Sequence, residues 1–429
     1  MFTANHTTDF AKTTDHKLVL PFYLYAALSF LAATALLLLS TNAFTRHYFH
    51  PHVLAITHAM ALGWGTMIIL GASHQLIPVL IETGLYSDKL GYASFVLAAT
   101  GIPLLVYGFY FFNLGWPAKC GGILINAAIL CYLINIAVSI TKSKQDNVHA
   151  FFVFTATLWL LLTTIVGLLL IYNFTVTILP VDSLHYLPLH AHMGIVGWFL
   201  LLIVGVGSRM VPMFLLSKYT NTKLLWFIYC CINGGLLSFV LFFLYYHETT
   251  MYFFSIGAVF SGIVLFAFYC YKCFRQRIRK KVDEQLKISL LSVMMIFLPL
   301  IFLLIFIARL MAGSLDIAVV MAYGFIVFFG WITALILGMT FKTLPFIIWN
   351  KVYSKPAGIN KTPNPKELFS SRVFRAMAIA YLAGFILFIP GVLVASNLLL
   401  QIASLLLLTA ALLYNWNVIK LMFHKGLPQ

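Results

Sequence analysis

Charged residues are scarce in this sequence, and acidic residues are the scarcest of them. Asp and Glu number 11 against 27 Lys and Arg in 429 residues, and the four types together make up 9% of the chain. A soluble globular protein typically carries about 25% charged residues. The composition therefore excludes an ordinary soluble protein, and the segments between the long apolar runs are too short to hold a soluble domain.

Cysteine is also sparse, with six residues at positions 120, 131, 230, 231, 270 and 273. Most of them fall inside apolar segments, so the sequence predicts no disulfide framework. Cys270 and Cys273 form a CxxC pair, but no second pair accompanies them, and we do not predict a metal site there.

The first 17 residues lack the short apolar core and small-residue cleavage site of a secretory signal, so we expect no cleaved signal peptide.

Apolar residues fill most of the chain: 62% are hydrophobic, and the mean hydropathy is +0.98. A helix needs about 20 apolar residues to cross a bilayer. Twelve such segments are present, which predicts an all-α integral membrane protein with twelve transmembrane helices in a single membrane domain, residues 1–429. The predicted segments are 19–41, 53–80, 90–112, 121–141, 150–172, 187–215, 224–246, 249–271, 287–311, 317–348, 374–395 and 398–421.

The basic residues predict the orientation of these helices. With twelve spans, both termini lie on one side, and that side would hold all of the 27 Lys and Arg except Arg46, Lys119 and Arg309. Since loops rich in Lys and Arg stay in the cytoplasm, both termini are predicted to be cytoplasmic, in a membrane such as the bacterial inner membrane. The net charge of +16 then reflects topology, and the expected partner is the lipid bilayer and no nucleic acid.

One 16-residue phrase occurs three times: Gly-Trp, six residues, Gly, six residues, Pro. The copies are 134 and 133 residues apart and fall in the second, sixth and tenth predicted helices. We therefore predict three pseudo-symmetric four-helix arcs, covering 90–215, 224–348, and 374–421 together with 19–80. Glycine allows close helix packing in lipid, and proline kinks or ends each helix. The copies run from Gly63-Trp64 to Pro78, from Gly197-Trp198 to Pro212, and from Gly330-Trp331 to Pro345.

Histidine occupies the same position in two of the three copies. The residue five positions before each Gly-Trp is His58, His192 and Phe325. Ionisable side chains inside a membrane usually mark function, and two neutral imidazoles at matched depth suit the two axial positions of a haem iron. We predict that His58 and His192 hold one haem. The alternative is that both are interfacial residues hydrogen-bonded to backbone or water.

Further candidates lie close to these two histidines. His190 is two residues before His192, about 200° around a helix, so it is expected to point to another side. With His50, His52 and His185 it could form a copper site, since imidazole suits copper.

Arg309, near the outer end of the ninth helix, is a candidate partner for haem propionates, or it extends to the headgroups. For His74, at the opposite end of the second helix, we expect extension to the headgroups.

The arrangement of twelve helices with an outer histidine in helix 2 and another in helix 6 resembles subunit I of the haem-copper oxidase superfamily, which includes cytochrome oxidases and nitric oxide reductases. The phrase Asp15-His16-Lys17, followed by Tyr23, is similar to that family's opening phrase. The resemblance implies haem b and copper as cofactors. It also implies that His58 binds the haem, and that His192 or His190 belongs to the copper site.

The chain also departs from that family. It lacks the adjacent histidine pair of helix 7 and the two histidines of helix 10, where it has Tyr323 and Phe325. The phrase Gly-x-Gly-Ser-Arg-Met-Val-Pro at 205–212 is similar to the NnrS proteins, haem- and copper-containing relatives linked to nitric oxide stress.

Three functions remain open at this point. The resemblance implies a divergent respiratory protein that passes electrons from a donor subunit, cytochrome c or quinol to oxygen or nitric oxide. One alternative is an NnrS-like non-catalytic haem or copper protein. The other is a metal or solute transporter whose outer histidines capture the substrate.

Overall fold

The computed structural model describes residues 14–142, 147–246, 249–278, 280–314, 316–354 and 362–426. Within these residues twelve helices are long and apolar enough to cross a membrane, which confirms the predicted all-α, twelve-span fold. They are α1 (His16–Leu39), α2 (Pro51–Ile81), α3 (Asp88–Tyr110), α4 (Trp116–Thr141), α5 (Val148–Asn173), α6 (Leu187–Leu215), α7 (Thr222–Tyr246), α8 (Tyr252–Arg275), α9 (Glu284–Met311), α10 (Ile317–Tyr353), α11 (Ser371–Leu393) and α12 (Asn397–Met422).

Capping side chains and first-turn prolines mark where the apolar segments begin as helices. In lipid, every backbone N–H and C=O must be paired, and a helix pairs them within one segment. The first N–H groups have no partner inside the helix, and capping side chains accept from them. Ser87 accepts from the Leu90 N–H at the start of α3, and Asp316 accepts from the Val319 N–H at the start of α10. Proline occupies the first turn of α2 and α6, where a missing N–H costs nothing.

The three helices that carry the repeated phrase are the most buried of the twelve in the described chain. Of their most apolar stretches, 72% of α2, 56% of α6 and 72% of α10 is buried, against at most 44% in the other nine helices. Since the bilayer surrounds the bundle, the less buried helices present their apolar side chains to lipid. The repeated phrase therefore marks the centre of the bundle.

The second glycine of each copy packs against the helix that precedes it in the chain. A Cβ on Gly71 would lie 2.6 Å from Cβ of Phe22 on α1. Gly205 meets Phe152 of α5 in the same way, and Gly338 meets Ser289 of α9. A methyl group at any of these positions would push two helices apart, so the glycines set the distance between the central helices and their neighbours.

Hydrogen bonds from three tyrosines repeat around the bundle. The Tyr132 hydroxyl of α4 lies 2.6 Å from the Ser73 hydroxyl of α2. Tyr269 of α8 donates to the Ser208 carbonyl of α6, and Tyr414 of α12 donates to the Thr340 hydroxyl of α10. Each bond therefore joins a central helix to a helix of the arc that follows it.

Two of the three central helices end shortly after their proline. Helices α2 and α6 stop three residues beyond Pro78 and Pro212, and each is followed by a residue in the left-handed conformation, Glu82 (φ 55°) and Leu216 (φ 53°). Helix α10 continues past Pro345 to Tyr353.

Each copy of the phrase also contains a π-helical segment. These segments are Ala59–Thr66 in α2, Met193–Leu200 in α6 and Ile326–Ile332 in α10, and they begin directly after His58, His192 and Phe325. A π-helical turn widens the helix and frequently occurs at functional sites. The same distortion in all three helices is further evidence for the repeat. The residues directly before it, His58, His192 and Phe325, are therefore candidates for a functional site.

Candidate functional site

A cavity of about 380 Å³ lies at the end of the bundle where α2 and α6 begin. The three equivalent residues His58, His192 and Phe325 all line it, so the three copies of the repeat face one space. Its walls are mainly apolar, and His190 and Tyr323 add polar groups. Ligand pockets in proteins typically measure about 300–1,000 Å³ and combine apolar walls with a few placed polar groups. The cavity has both properties.

His58 and His190 form the first polar pair in this cavity. Their ring centres are 6.2 Å apart, and the ring planes differ by 19°. His58 Nδ1 donates to the Leu54 carbonyl at 2.8 Å, and His190 Nδ1 donates to the Thr163 carbonyl of α5 at 3.0 Å. Because each Nδ1 carries the proton in these bonds, each Nε2 keeps its lone pair. Two imidazoles bound through Nε2 to one metal at about 2 Å have ring centres roughly 6 Å apart.

Helix α5 positions the His190 ring through two neighbouring turns. Thr163 supplies the carbonyl that receives the Nδ1 proton. Four residues later, Gly167 leaves the space that the ring occupies, since a Cβ there would lie 2.8 Å from Cε1 of His190. The backbone of α5 therefore both orients this imidazole and makes room for it.

His192 and Tyr323 form a second pair with closely similar geometry. Their ring centres are 6.0 Å apart with planes 23° apart, and the tyrosine oxygen lies 3.3 Å from His192 Nε2. His192 Nδ1 donates to the Pro188 carbonyl at 2.8 Å. The repeat spacing of 134 and 133 residues relates His58 to His192 and His190 to Tyr323. The two pairs are thus the same arrangement in successive copies.

The two pairs differ in what lies between their rings. In the second pair the phenol oxygen extends from the Tyr323 ring to His192 Nε2. In the first pair both rings are imidazoles, and among the described residues no hydrogen bond joins His58 to His190. The His58–His190 pair therefore leaves the Nε2 atoms of both rings without a hydrogen bond to the described residues.

The structure does not bring the remaining predicted site residues into the cavity. The His52 ring stacks on Tyr110 at 4.2 Å, while His185 is exposed and contacts Phe243 at 5.2 Å. Arg309 is exposed near the end of α9 and is not among the lining residues. Across the described ranges, no three His, Cys, Asp or Glu side chains lie close enough to hold a metal ion. Of the predicted copper ligands, His50 and His52 have ring centres 5.0 Å apart, but no third described ligand joins them.

The expectation for His74 was wrong. Its side chain is fully buried and does not extend to the headgroups. The ring lies against Phe22 at 5.3 Å, and Nδ1 donates to the Leu70 carbonyl at 2.6 Å. Gly91 of α3 makes room for it, because a Cβ there would lie 3.1 Å from His74 Nε2.

Comparison with known proteins adds no further constraint. No protein-family model matches the chain, and no curated protein is similar to it. Sequence reasoning identified the histidines of the cavity but missed how they pair and missed Gly167. The equivalence of His190 and Tyr323 under the repeat spacing was the signal that could have revealed the pairs.

Proposed function

We propose that the chain is a haem-binding membrane protein, with His58 and His190 as the two protein ligands of one haem b in the cavity. The observation that carries the proposal is the pair of near-parallel imidazoles, 6.2 Å apart, with both Nδ1 atoms bound to helix carbonyls. Backbone bonds of this kind fix the ring orientation and the tautomer that metal-binding histidines require. The apolar walls of the cavity also suit a largely apolar cofactor.

The proposed activity is electron transfer within the membrane. Haem supplies a one-electron couple when it is bound. Iron held by both His58 and His190 would favour electron transfer over binding of oxygen or nitric oxide. The proposal includes no copper, because His52, His185 and His190 have different surroundings. It treats the protein as a divergent member of the haem-copper oxidase superfamily that receives electrons from a donor subunit, cytochrome c or a quinol.

The experiment is a spectroscopic and chemical haem assay on the purified protein. We expect about one haem per chain and a low-spin spectrum typical of two imidazole ligands. His58→Ala and His190→Ala should each abolish that spectrum, while the matched control His52→Ala should retain it. A colourless protein from haem-sufficient cells would contradict the proposal and leave transport as the alternative.

A further inference from the structure

Tryptophans of the repeated phrase connect the three central helices. Trp64 of α2 donates its indole N–H to the Thr333 hydroxyl of α10 at 3.1 Å. Trp198 of α6 donates to the Thr66 hydroxyl of α2 at 3.0 Å. Both acceptors are the third residue after the first glycine of their own copy. The two bonds are therefore successive steps of one cyclic pattern.

The third step of this pattern is missing. By the same spacing, Trp331 of α10 would donate to residue 200 of α6, which is Leu200 and has no acceptor in its side chain. Trp331 is only 3% exposed, and its indole donates no hydrogen bond to any residue in the part of the chain that the structure describes. A ligand that accepts from this indole would form a hydrogen bond that no described protein group supplies.

Trp331 lines a second cavity, of about 140 Å³, toward the ends of α2, α6 and α10 that carry the prolines. All of the lining residues belong to membrane-spanning helices, and most are apolar. The hydroxyl groups in its wall already have hydrogen-bond partners; they belong to Tyr23, Ser73, Ser289, Ser292, Thr340 and Thr343. Among the described lining residues, Trp331 is thus the polar side chain that makes no hydrogen bond.

The size and polarity of this cavity define the ligand. A dry, apolar cavity of about 150 Å³ accommodates a benzene ring. The cavity beside Trp331 has a similar volume and adds one hydrogen-bond donor. We propose that it binds the head group of a quinone, whose six-membered ring fills the space and whose carbonyl accepts from Trp331. The inference gives a site to the quinol that the proposed function allows as electron donor, and it can be tested separately because quinone binding here requires no haem.

The test is calorimetric titration of the full-length protein in lipid nanodiscs with a benzoquinone that carries a short isoprenoid tail. Trp331→Phe removes the donor and keeps an aromatic ring, so we expect two- to tenfold weaker binding, the usual range for one hydrogen bond. Leu200→Thr supplies the missing acceptor and should weaken binding by engaging Trp331 internally. Trp198→Phe is the matched control, because the Trp198 indole already donates to Thr66. The quinone affinity of this variant should be unchanged.

Two outcomes would overturn the proposal. One is an unchanged quinone affinity in both Trp331→Phe and Leu200→Thr, each verified as folded by its thermal transition. The other is equal competition by a short-chain phosphatidylglycerol, whose ester carbonyl offers the same acceptor, which would identify the occupant as a lipid. A protein that binds quinone but no haem contradicts the proposed function alone.

Discussion

The His190 ring occupies space that is free because residue 167 is glycine and has no side chain. A methyl group on Gly167 would lie 2.8 Å from Cε1 of His190 and would push the ring away from α5. We expect Gly167→Ala to lower haem affinity about 10- to 100-fold, as for other changes that misplace a metal ligand. Haem titration of the apoprotein, followed by absorbance, measures this. Gly324→Ala is the control, since Gly324 lines the same cavity with nothing within 4 Å of its added Cβ.

His192 and Tyr323 provide a second residue-scale prediction. Their side chains contact each other, so neither is needed as an iron ligand in the proposed site. We expect His192→Ala and Tyr323→Phe to retain the low-spin haem spectrum, whereas His190→Ala should lose it. Loss of haem in His192→Ala with retention in His190→Ala would reverse the assignment and restore the pairing predicted from the sequence.

The sequence indicated which histidines matter but not which of them meet. The repeat spacing places His58 and His192 at equal depth, and this made them the natural pair. In two copies, the repeat residue instead meets the residue two positions earlier in the next copy: His58 meets His190, and His192 meets Tyr323. That offset depends on the contact between α2 and α6 and on the space at Gly167, and neither can be read from a single helix.

At the scale of elements, the π-helical segments could not be predicted from periodicity. The sequence around each Gly-Trp is uniformly apolar, because these helices are buried on most sides, so it contains no polar face that would reveal an extra residue in the turn. The recurring phrase was the available signal. It marks the same distortion in α2, α6 and α10.

The packing glycines give a prediction about these elements. In Gly205→Ala the new methyl would overlap Phe152 of α5. Overpacking of this kind costs about 1–3 kcal/mol, so we expect a lower temperature of thermal unfolding in detergent. Gly234 lies in α7 with nothing within 4 Å of an added Cβ, and Gly234→Ala should be neutral or slightly stabilising. Equal transition temperatures for the two variants would contradict the packing role.

For the whole molecule, the sequence was sufficient to predict the number of spans. A bilayer requires a minimum apolar length, and each predicted segment became a helix with ends shifted by a few residues: the segment 317–348 is observed as Ile317–Tyr353. The relative placement of the helices was not predictable in the same way, since it depends on local fits such as Gly338 against Ser289.

The distribution of basic residues predicts orientation at this scale. We expect fluorescent-protein fusions after Met422 to fluoresce, because the reporter folds in the cytoplasm, and fusions after Asn173 to stay dark. Measuring both in the same cells tests the proposal that the termini are cytoplasmic. Fluorescence from the Asn173 fusion alone would show that the topology is the reverse of the predicted one.

The third copy of the repeat contributes a phenylalanine to the cavity where the other two contribute histidines. Phe325 takes the place of His58 and His192, and the centres of its ring and the Phe388 ring are 3.9 Å apart. The residue equivalent to His190 and Tyr323 is Ile56, which also lines the cavity. A strictly symmetric chamber would offer a flat guest three equivalent ways to enter. Here the three sectors are chemically distinct, so that rotational degeneracy is removed.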